Sequence, residues 1–264
     1  MKIIVRGGGD LATGTIYKLF QCGFKVLILE TDNPTCIRRK AAFSEAIIHQ
    51  ESTVEGVTCK KANTLEEANL IINNNQIPIM IDPMGTSIKK WHPDVVVDAI
   101  LAKQNLGTTI DMAKIVIGLG PGFEANKDVH AVIETKRGHH LGRIYYQGTA
   151  IKNTGIPGLI NGFSKERVIH APVSGKLTVI KDIEAIVQKN ECIAKIDETP
   201  VYATLNGVIR GMLPNGFIVS KGLKMADIDP RQEQVENCTT ISDKARCIAG
   251  GVLEAILHLQ GNLL

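Results

Sequence analysis

The sequence is short of aromatic residues. Phe, Trp and Tyr make up 4% of its 264 residues, and there is one tryptophan. Few ring faces are available for stacking bases, and a net charge of +3 makes no electrostatic case for nucleic acid or a membrane surface. No apolar run reaches the length of a membrane span. Lys2 leads straight into residues 3–5 and three glycines, without a secretory h-region, so a cytoplasmic location is expected. The six cysteines, Cys22, Cys36, Cys59, Cys192, Cys238 and Cys247, include no C-x-x-C pair. That spacing indicates neither a zinc site nor a disulfide framework, and reduced thiols are expected. Cys36 stands near Arg38 and Arg39, whose charge would favour its thiolate, although an ordinary loop cysteine has the same surroundings. There is no P-loop lysine, H-E-x-x-H pair or Ser-His-Asp signature.

What remains is long enough for two cores. β-Branched runs at 3–5, 25–30, 57–60, 77–81, 95–97 and 114–118 alternate with amphipathic stretches, which predicts a parallel sheet covered by helices. Leu11, Ile16 and Leu19 follow helical spacing, and Thr64 with Glu67 forms a capping-box pattern. We therefore expect a Rossmann-like nucleotide-binding domain over 1–118. A glycine-dense connecting segment with a hairpin and site loops follows over 119–164. From Thr240 the texture is helical, with Ser242 as N-cap, and a C-terminal segment, 231–264, is expected to pack on the first domain. Gly250 and Gly251 inside that helix cost roughly 1 kcal/mol each against alanine, which implies a close approach by another backbone.

Residues 165–230 contain a repeat. A shift of 32 positions superimposes 168–197 on 200–229 without a gap, with 8 of 30 positions identical, among them Gly175/Gly207, Ile186/Ile218, Lys189/Lys221 and Asp197/Asp229. Each copy reads as short strands around a glycine turn, and two together would bury what one alone could not. The pattern A-P-x-x-G followed by A-x-x-x-G resembles biotinyl/lipoyl-type barrel-sandwich domains. In that family a lysine flanked by methionines carries the prosthetic group. Here Lys195 lies one position from that place and no methionine flanks it. The resemblance therefore implies an all-β barrel-sandwich domain with no biotin or lipoate attachment.

Three stretches carry candidate chemistry. Gly7, Gly8, Gly9, Asp10 and Ala12 fit G-x-G-x-x-A between a strand and a helix, where backbone N–H groups can approach a pyrophosphate. Glu30 ends the next strand, 21 residues after Gly9, where a carboxylate would accept ribose hydroxyls. The same pattern would serve a tight turn that binds nothing. Asp10 would repel a bare phosphate unless Arg6, Arg38 or Arg39 compensated; it also suits a helix cap. Asp98 and Lys103 are a carboxylate and an amine near a strand end, tools for proton transfer or, equally, a cap and a surface lysine. Gly120, Pro121 and Gly122 sit in a second loop able to form an anion nest. Glu134, Arg137, Gly138, His139, His140 and Arg143 cluster soon after it, and no third ligand is spaced to make a metal site of the histidines.

Taken together, the strings "VRGGGDLATG", "IRRKAAFSEAI", "VDAILAKQN", "GLGPGFEANKDVHAVIETKRGHHLGR" and "IAGGVLEAIL" resemble the YqeB-type accessory proteins of the selenium-dependent molybdenum hydroxylase system. The resemblance implies a cytosolic bacterial protein that supports maturation of a molybdenum hydroxylase. The residues it carries over are Gly7, Gly8, Gly9, Asp10, Arg38, Arg39, Asp98, Lys103, Gly120, Pro121, Gly122, Glu134, Arg137, Gly138 and His139. Of these, Asp98, Lys103 and His139 are the candidates for chemistry. The expected ligand is a dinucleotide, NAD(P) or a molybdopterin dinucleotide. The expected partner is the hydroxylase or its maturation machinery, with self-association left open. An NAD(P)-dependent oxidoreductase and a non-catalytic docking scaffold are the alternatives.

Overall fold

The computed structural model describes residues 1–153, 155, 158 and 160–261. Parts of the connecting and C-terminal segments, at 154–159 and 262–264, lie outside the described residues but for 155 and 158. The chain forms two compact units. The first comprises Met1–Pro34, Ala42–Asn153 and Ile241–Leu264; the second comprises Thr35–Ala41 and Thr154–Thr240.

In the first unit, β1 (Lys2–Arg6), α1 (Asp10–Gln21) and β2 (Lys25–Glu30) come first. They are followed by α2 (Ala46–His49), β3 (Glu51–Val54), β4 (Val57–Lys61), α3 (Leu65–Asn73) and β5 (Ile77–Ile81). Next are α4 (Ser87–Trp91), β6 (Val95–Asp98), β7 (Ile115–Leu119) and β8 (Glu124–Ala125). Then come β9 (Ala131–Ile133), β10 (Ile144–Tyr145) and β11 (Gly148–Thr149). Nine of these strands make one sheet, in the order β10-β9-β7-β6-β1-β2-β5-β4-β3.

The strands from β9 to β4 in that order run parallel, whereas β3 pairs antiparallel to β4 and β10 antiparallel to β9. This corrects the expectation of a Rossmann-like parallel sheet: the sheet is mixed, with an antiparallel strand at each edge. The central strands read as unbroken Val and Ile runs because both faces are buried. Ile3, Val5, Ile28, Val97 and Ile117 pack on one face, and Ile4, Leu27, Leu29, Val96 and Val116 on the other. The period of two thus divides one strand between two cores.

The helix α5 (Asp243–Gly261) closes the first of these faces with α1. Ser242 caps it, its Oγ accepting the N–H of Ala245 at 3.2 Å. Two glycines allow the fit: a Cβ on Gly14 would stand 2.7 Å from that of Ala245, and one on Gly251 would collide with the carbonyl of Gly142.

The second unit holds β12 (Val168–His170), β13 (Gly175–Val179), β14 (Ile186–Val187) and β15 (Cys192–Ile196). It continues with β16 (Thr199–Tyr202), β17 (Gly207–Met212), β18 (Ile218–Val219) and β19 (Lys224–Asp229). They form two antiparallel four-stranded sheets, β12-β19-β17-β14 and β16-β15-β13-β18, sharing one apolar core. The strand pairings close no barrel, which corrects the barrel-sandwich expectation.

The 32-residue shift carries β12 to β16, β13 to β17, β14 to β18 and β15 to β19, so it maps one sheet onto the other. Each sheet takes its two outer strands from one copy and its two inner strands from the other. The equivalence extends to single bonds: Asn206 accepts the N–H of Lys189 at 2.7 Å, and Ser174, 32 positions earlier, accepts that of Lys221 at 2.9 Å. Lys195 is exposed on β15, opposite Pro200.

Gly14→Val is expected to lower unfolding free energy by about 1–3 kcal/mol through overpacking against Ala245. Urea denaturation checks this, and an unchanged midpoint would show that the helices can separate at no cost.

Candidate functional site

The strand order turns back between β1 and β6, the place where sheets of this kind gather ligands at the carboxyl ends of their strands. The chain leaves β1 there through Gly7 to Gly9. Gly7 has φ +96, and a Cβ on it would stand 2.8 Å from the carbonyl oxygen of Ala99, beyond β6. Glycine is required on both counts. Gly8 donates its N–H to Glu30 Oε2 at 2.7 Å, and its carbonyl accepts from Ser44 N–H at 2.9 Å and Thr13 Oγ1 at 3.2 Å. Gly9 is the N-cap of α1, Asp10 its first residue, and Ala12 is buried in its first turn.

Glu30 ends β2. Its Oε1 accepts the N–H of Thr31 at 2.8 Å. Burial pushes its carboxyl above the ordinary value, against the lowering effect of the two backbone bonds.

On the opposite face the end of β1 presents Arg6, which is 2% exposed. Arg6 and Asp98 are directly paired across β1 and β6. Its guanidinium donates to Thr108 Oγ1, to the carbonyl of Pro83 at 2.9 Å and to that of Leu106 at 3.5 Å, and it lies 3.7 Å from Asp98. Thr108 donates its own hydroxyl to Asp98 at 2.6 Å, and the N–H of Ile100 donates to the same carboxylate at 3.1 Å. Burial raises the Asp98 carboxyl, outweighing Thr108, Ile100 and Arg6. Next in the sheet, Asp82 accepts from Thr86 and Ser87 at the start of α4. Burial alone would raise it, but these bonds hold it below its ordinary value.

The remaining candidates are dispersed. Lys103 is exposed at φ +65 and is not among the partners of Asp98. Gly120 and Gly122 are left-handed, at φ +81 and +115, and stand against Thr135 and Gln104, with the half-buried Pro121 between them. Close packing, as much as an anion nest, accounts for both glycines. Glu134 is fully buried and accepts the N–H of Lys136 at 2.7 Å and of Ile151 at 2.9 Å, bracing the hairpin from within.

Arg137 makes a bidentate pair with Asp243 of α5, at 2.6 and 2.9 Å. Gly138, at φ +135, and His139 are exposed, and the His139 ring meets that of His140 edge-on at 5.5 Å. His140 is 3.0 Å from Arg143. Arg38 and Arg39 belong to the second unit. Arg38 donates to the carbonyls of Asn237 and Thr240, and Arg39 to the carbonyl of Met212 and both oxygens of Asp182. Among the described residues no group of three or more His, Cys, Asp or Glu side chains is arranged to hold a metal ion.

The structure thus brings together Gly7, Gly8, Gly9 and Glu30 on one face, with Arg6 and Asp98 on the other. Sequence reading missed Thr108, on the loop after β6, and Ser44, in a single helical turn at 43–45. It also missed Asp82, although "DPMGTS" offers a carboxylate four and five residues before Thr86 and Ser87.

No family model matches the chain. It is similar to the uncharacterized protein YqeB of Escherichia coli, with 48% identity over 258 residues, covering 98% of this chain and 48% of that protein. The chain spans about half the length of the curated relative it matches. Among solved structures it is similar to a succinylglutamate desuccinylase/aspartoacylase from Rhodobacter sphaeroides, at 12% identity and TM-score 0.28 over 86% of this chain and 84% of that one. It is also similar to the ectoine utilization protein EutE (DoeB) from Ruegeria pomeroyi, at 11% identity and TM-score 0.26 over the same shares. Neither structural likeness bears on what this chain does. Among the described residues no helix is long and apolar enough to cross a membrane.

Thr108→Val is expected to cost about 1–3 kcal/mol, because Asp98 and Arg6 both lose a buried partner. Chemical denaturation at neutral pH measures it. Glu30 and Asp98, with carboxyls raised by burial, bind protons more tightly folded than unfolded. Their contribution is therefore fully present below the ordinary carboxylate range and is lost as pH rises through the raised values. Glu30→Gln should flatten part of that decline in melting curves taken from pH 4 upward; an identical profile would contradict the assignment.

Proposed function

We propose that the chain is an accessory protein of a molybdenum hydroxylase system, selenium-dependent as the resemblance implies, and that it holds a nucleotide at the crest between β1 and β6. The observation that carries this reading is the glycine loop at the turning point of the strand order, opening directly into α1. The N–H groups of a helix's first turn lack intrahelical partners, and the helix dipole adds positive character there. A phosphate would be received by α1, since Glu30 already takes the Gly8 N–H. The maturation context comes from the resemblance, and the identity to YqeB over nearly the whole chain supports that relationship.

Cofactor handling is favoured over a redox reaction. An oxidoreductase needs a proton-transfer group beside its cofactor, and the candidates do not combine: Asp98 is bound to Thr108 and faces Arg6, while Lys103 is exposed. A dinucleotide form of molybdopterin suits an accessory protein of this kind.

Purified protein should show a raised melting temperature with at least one nucleotide or pterin dinucleotide. Gly9→Val should abolish that shift and impair hydroxylase maturation in cells relying on the variant. The absence of any shift, together with intact maturation in Gly9→Val cells, would end this reading.

A further inference from the structure

We propose that the outer face of the sheet β16-β15-β13-β18 docks an acidic segment of a partner protein, whose carboxylates Lys176 and Lys195 receive. This surface belongs to the second unit and owes nothing to the glycine loop.

An antiparallel sheet with one face in water alternates buried and exposed residues. Here Leu177, Ile196, Val201 and Val219 fill the core. Lys176, Thr178, Lys195, Pro200, Tyr202 and Ile218 lie exposed on the other side. The register sets them next to one another: Ile218 is opposite Lys176, Thr178 opposite Lys195, and Lys195 opposite Pro200. Lys176 and Thr178 are two residues apart on β13, so the lysines are diagonal neighbours, close enough to share one acidic segment. The four strands carry no other charged residue. Apolar groups flank the pair on the two edge strands, with Ile218 70% and Tyr202 51% exposed.

The repeat supplies a comparison. A shift of 32 positions takes Lys176 to Val208 and Lys195 to Asp227, which are 0% and 6% exposed. The chain itself covers that equivalent face. Gly211, opposite Asp227 on β17, has Ile37 2.9 Å from where a Cβ would stand, and the Arg167 guanidinium meets Asp227 at 3.0 and 3.1 Å. Two faces built on one pattern thus differ in cover and in sign. Where the covered face holds a carboxylate met by an arginine, the open face holds an ammonium. A segment lying on it needs a carboxylate in the arginine's place.

The number of charges decides the class of occupant. A DNA duplex is held by about 6–10 phosphate contacts, and an anionic membrane by clusters of roughly 4–8 Lys or Arg. This face offers two lysines between apolar flanks, which suits a protein segment joining acidic to apolar residues.

The test is selection of phage-displayed random peptides on the full chain at low ionic strength, followed by isothermal titration with the best peptide made synthetically. The selected peptides should combine Asp or Glu with an aromatic or aliphatic residue. The double variant Lys176→Glu, Lys195→Glu, shown folded by circular dichroism, should bind that peptide at least about tenfold more weakly, through lost pairs and added repulsion. Lys195→Gln should weaken it about threefold, and Lys90→Glu on α4 of the first unit should leave it unchanged. A peptide with Lys in place of its acids should recover binding to the double variant. Selection that yields no acidic peptide, or binding that both lysine variants leave intact, overturns the proposal. So does binding of phosphatidylserine-containing vesicles or a DNA duplex that the double variant abolishes while no acidic peptide binds.

Discussion

A guanidinium buried at the end of β1 imposes the first constraint on the crest of the large sheet. Arg6 cannot shed its charge, and a buried cation without acceptors is costly. Its hydrogen-bond acceptors are on loops, the carbonyl of Pro83 after β5 and the carbonyl of Leu106 and hydroxyl of Thr108 after β6, while the Asp98 carboxylate at the end of β6 lies 3.7 Å away. Two connections that could wander are tied to one strand end. The loop after β6 then presses on Gly7 through Ala99 and on Gly122 through Gln104. The candidate site takes its shape in part from this arrangement: at Gly7, which is left-handed, the tethered loop leaves no room for a Cβ.

On the opposite face a second polar device acts independently. Glu30 holds the N–H of Gly8, while Ser44 and Thr13 hold its carbonyl. Both polar groups of the middle glycine are thus met from within the protein. Neither polar group of Gly8 is left over for anything outside the protein. Glycine-rich loops are often read as open cradles; here the middle glycine spends both of its backbone groups inside the protein.

The strands of the large sheet were legible where burial on both faces writes Val and Ile without interruption, as in 3–5 and 95–97. Its edges were not. The run "ESTV" of β3 lies at an edge and carries polar residues, and β10 is two residues long, so neither announces the antiparallel pairing that makes the sheet mixed. The second unit's repeat was visible as a 32-residue shift, because equivalent strands need equivalent turns. That the strands form two open sheets with exchanged positions depends on pairing between copies, which composition does not encode. Nor could the sequence show that 35–41 belongs with residues 154–240. In the site, the spacing of Glu30 from the glycines pointed to a real neighbour. Asp98 was matched to nearby Lys103, whereas its charged partner is Arg6, 92 positions earlier and adjacent only through strand register. Arg137 and Asp243 are likewise joined across 106 positions.

The packing of α5 on α1 has a consequence for how the chain comes to be folded. On the ribosome, α1 and the sheet beneath it are made early, yet the helix covering them is encoded only at 243–261, after the whole second unit has been synthesised. During that interval the apolar face around Ile16 and Leu19 lacks its cover. Long-range contacts of this kind form slowly and leave surface exposed to association. Residues 154–240 can complete their two sheets in the meantime, with only the 35–41 strap drawn from earlier in the chain. The later-made unit is therefore placed to mature first, and the α1 face of the large sheet last.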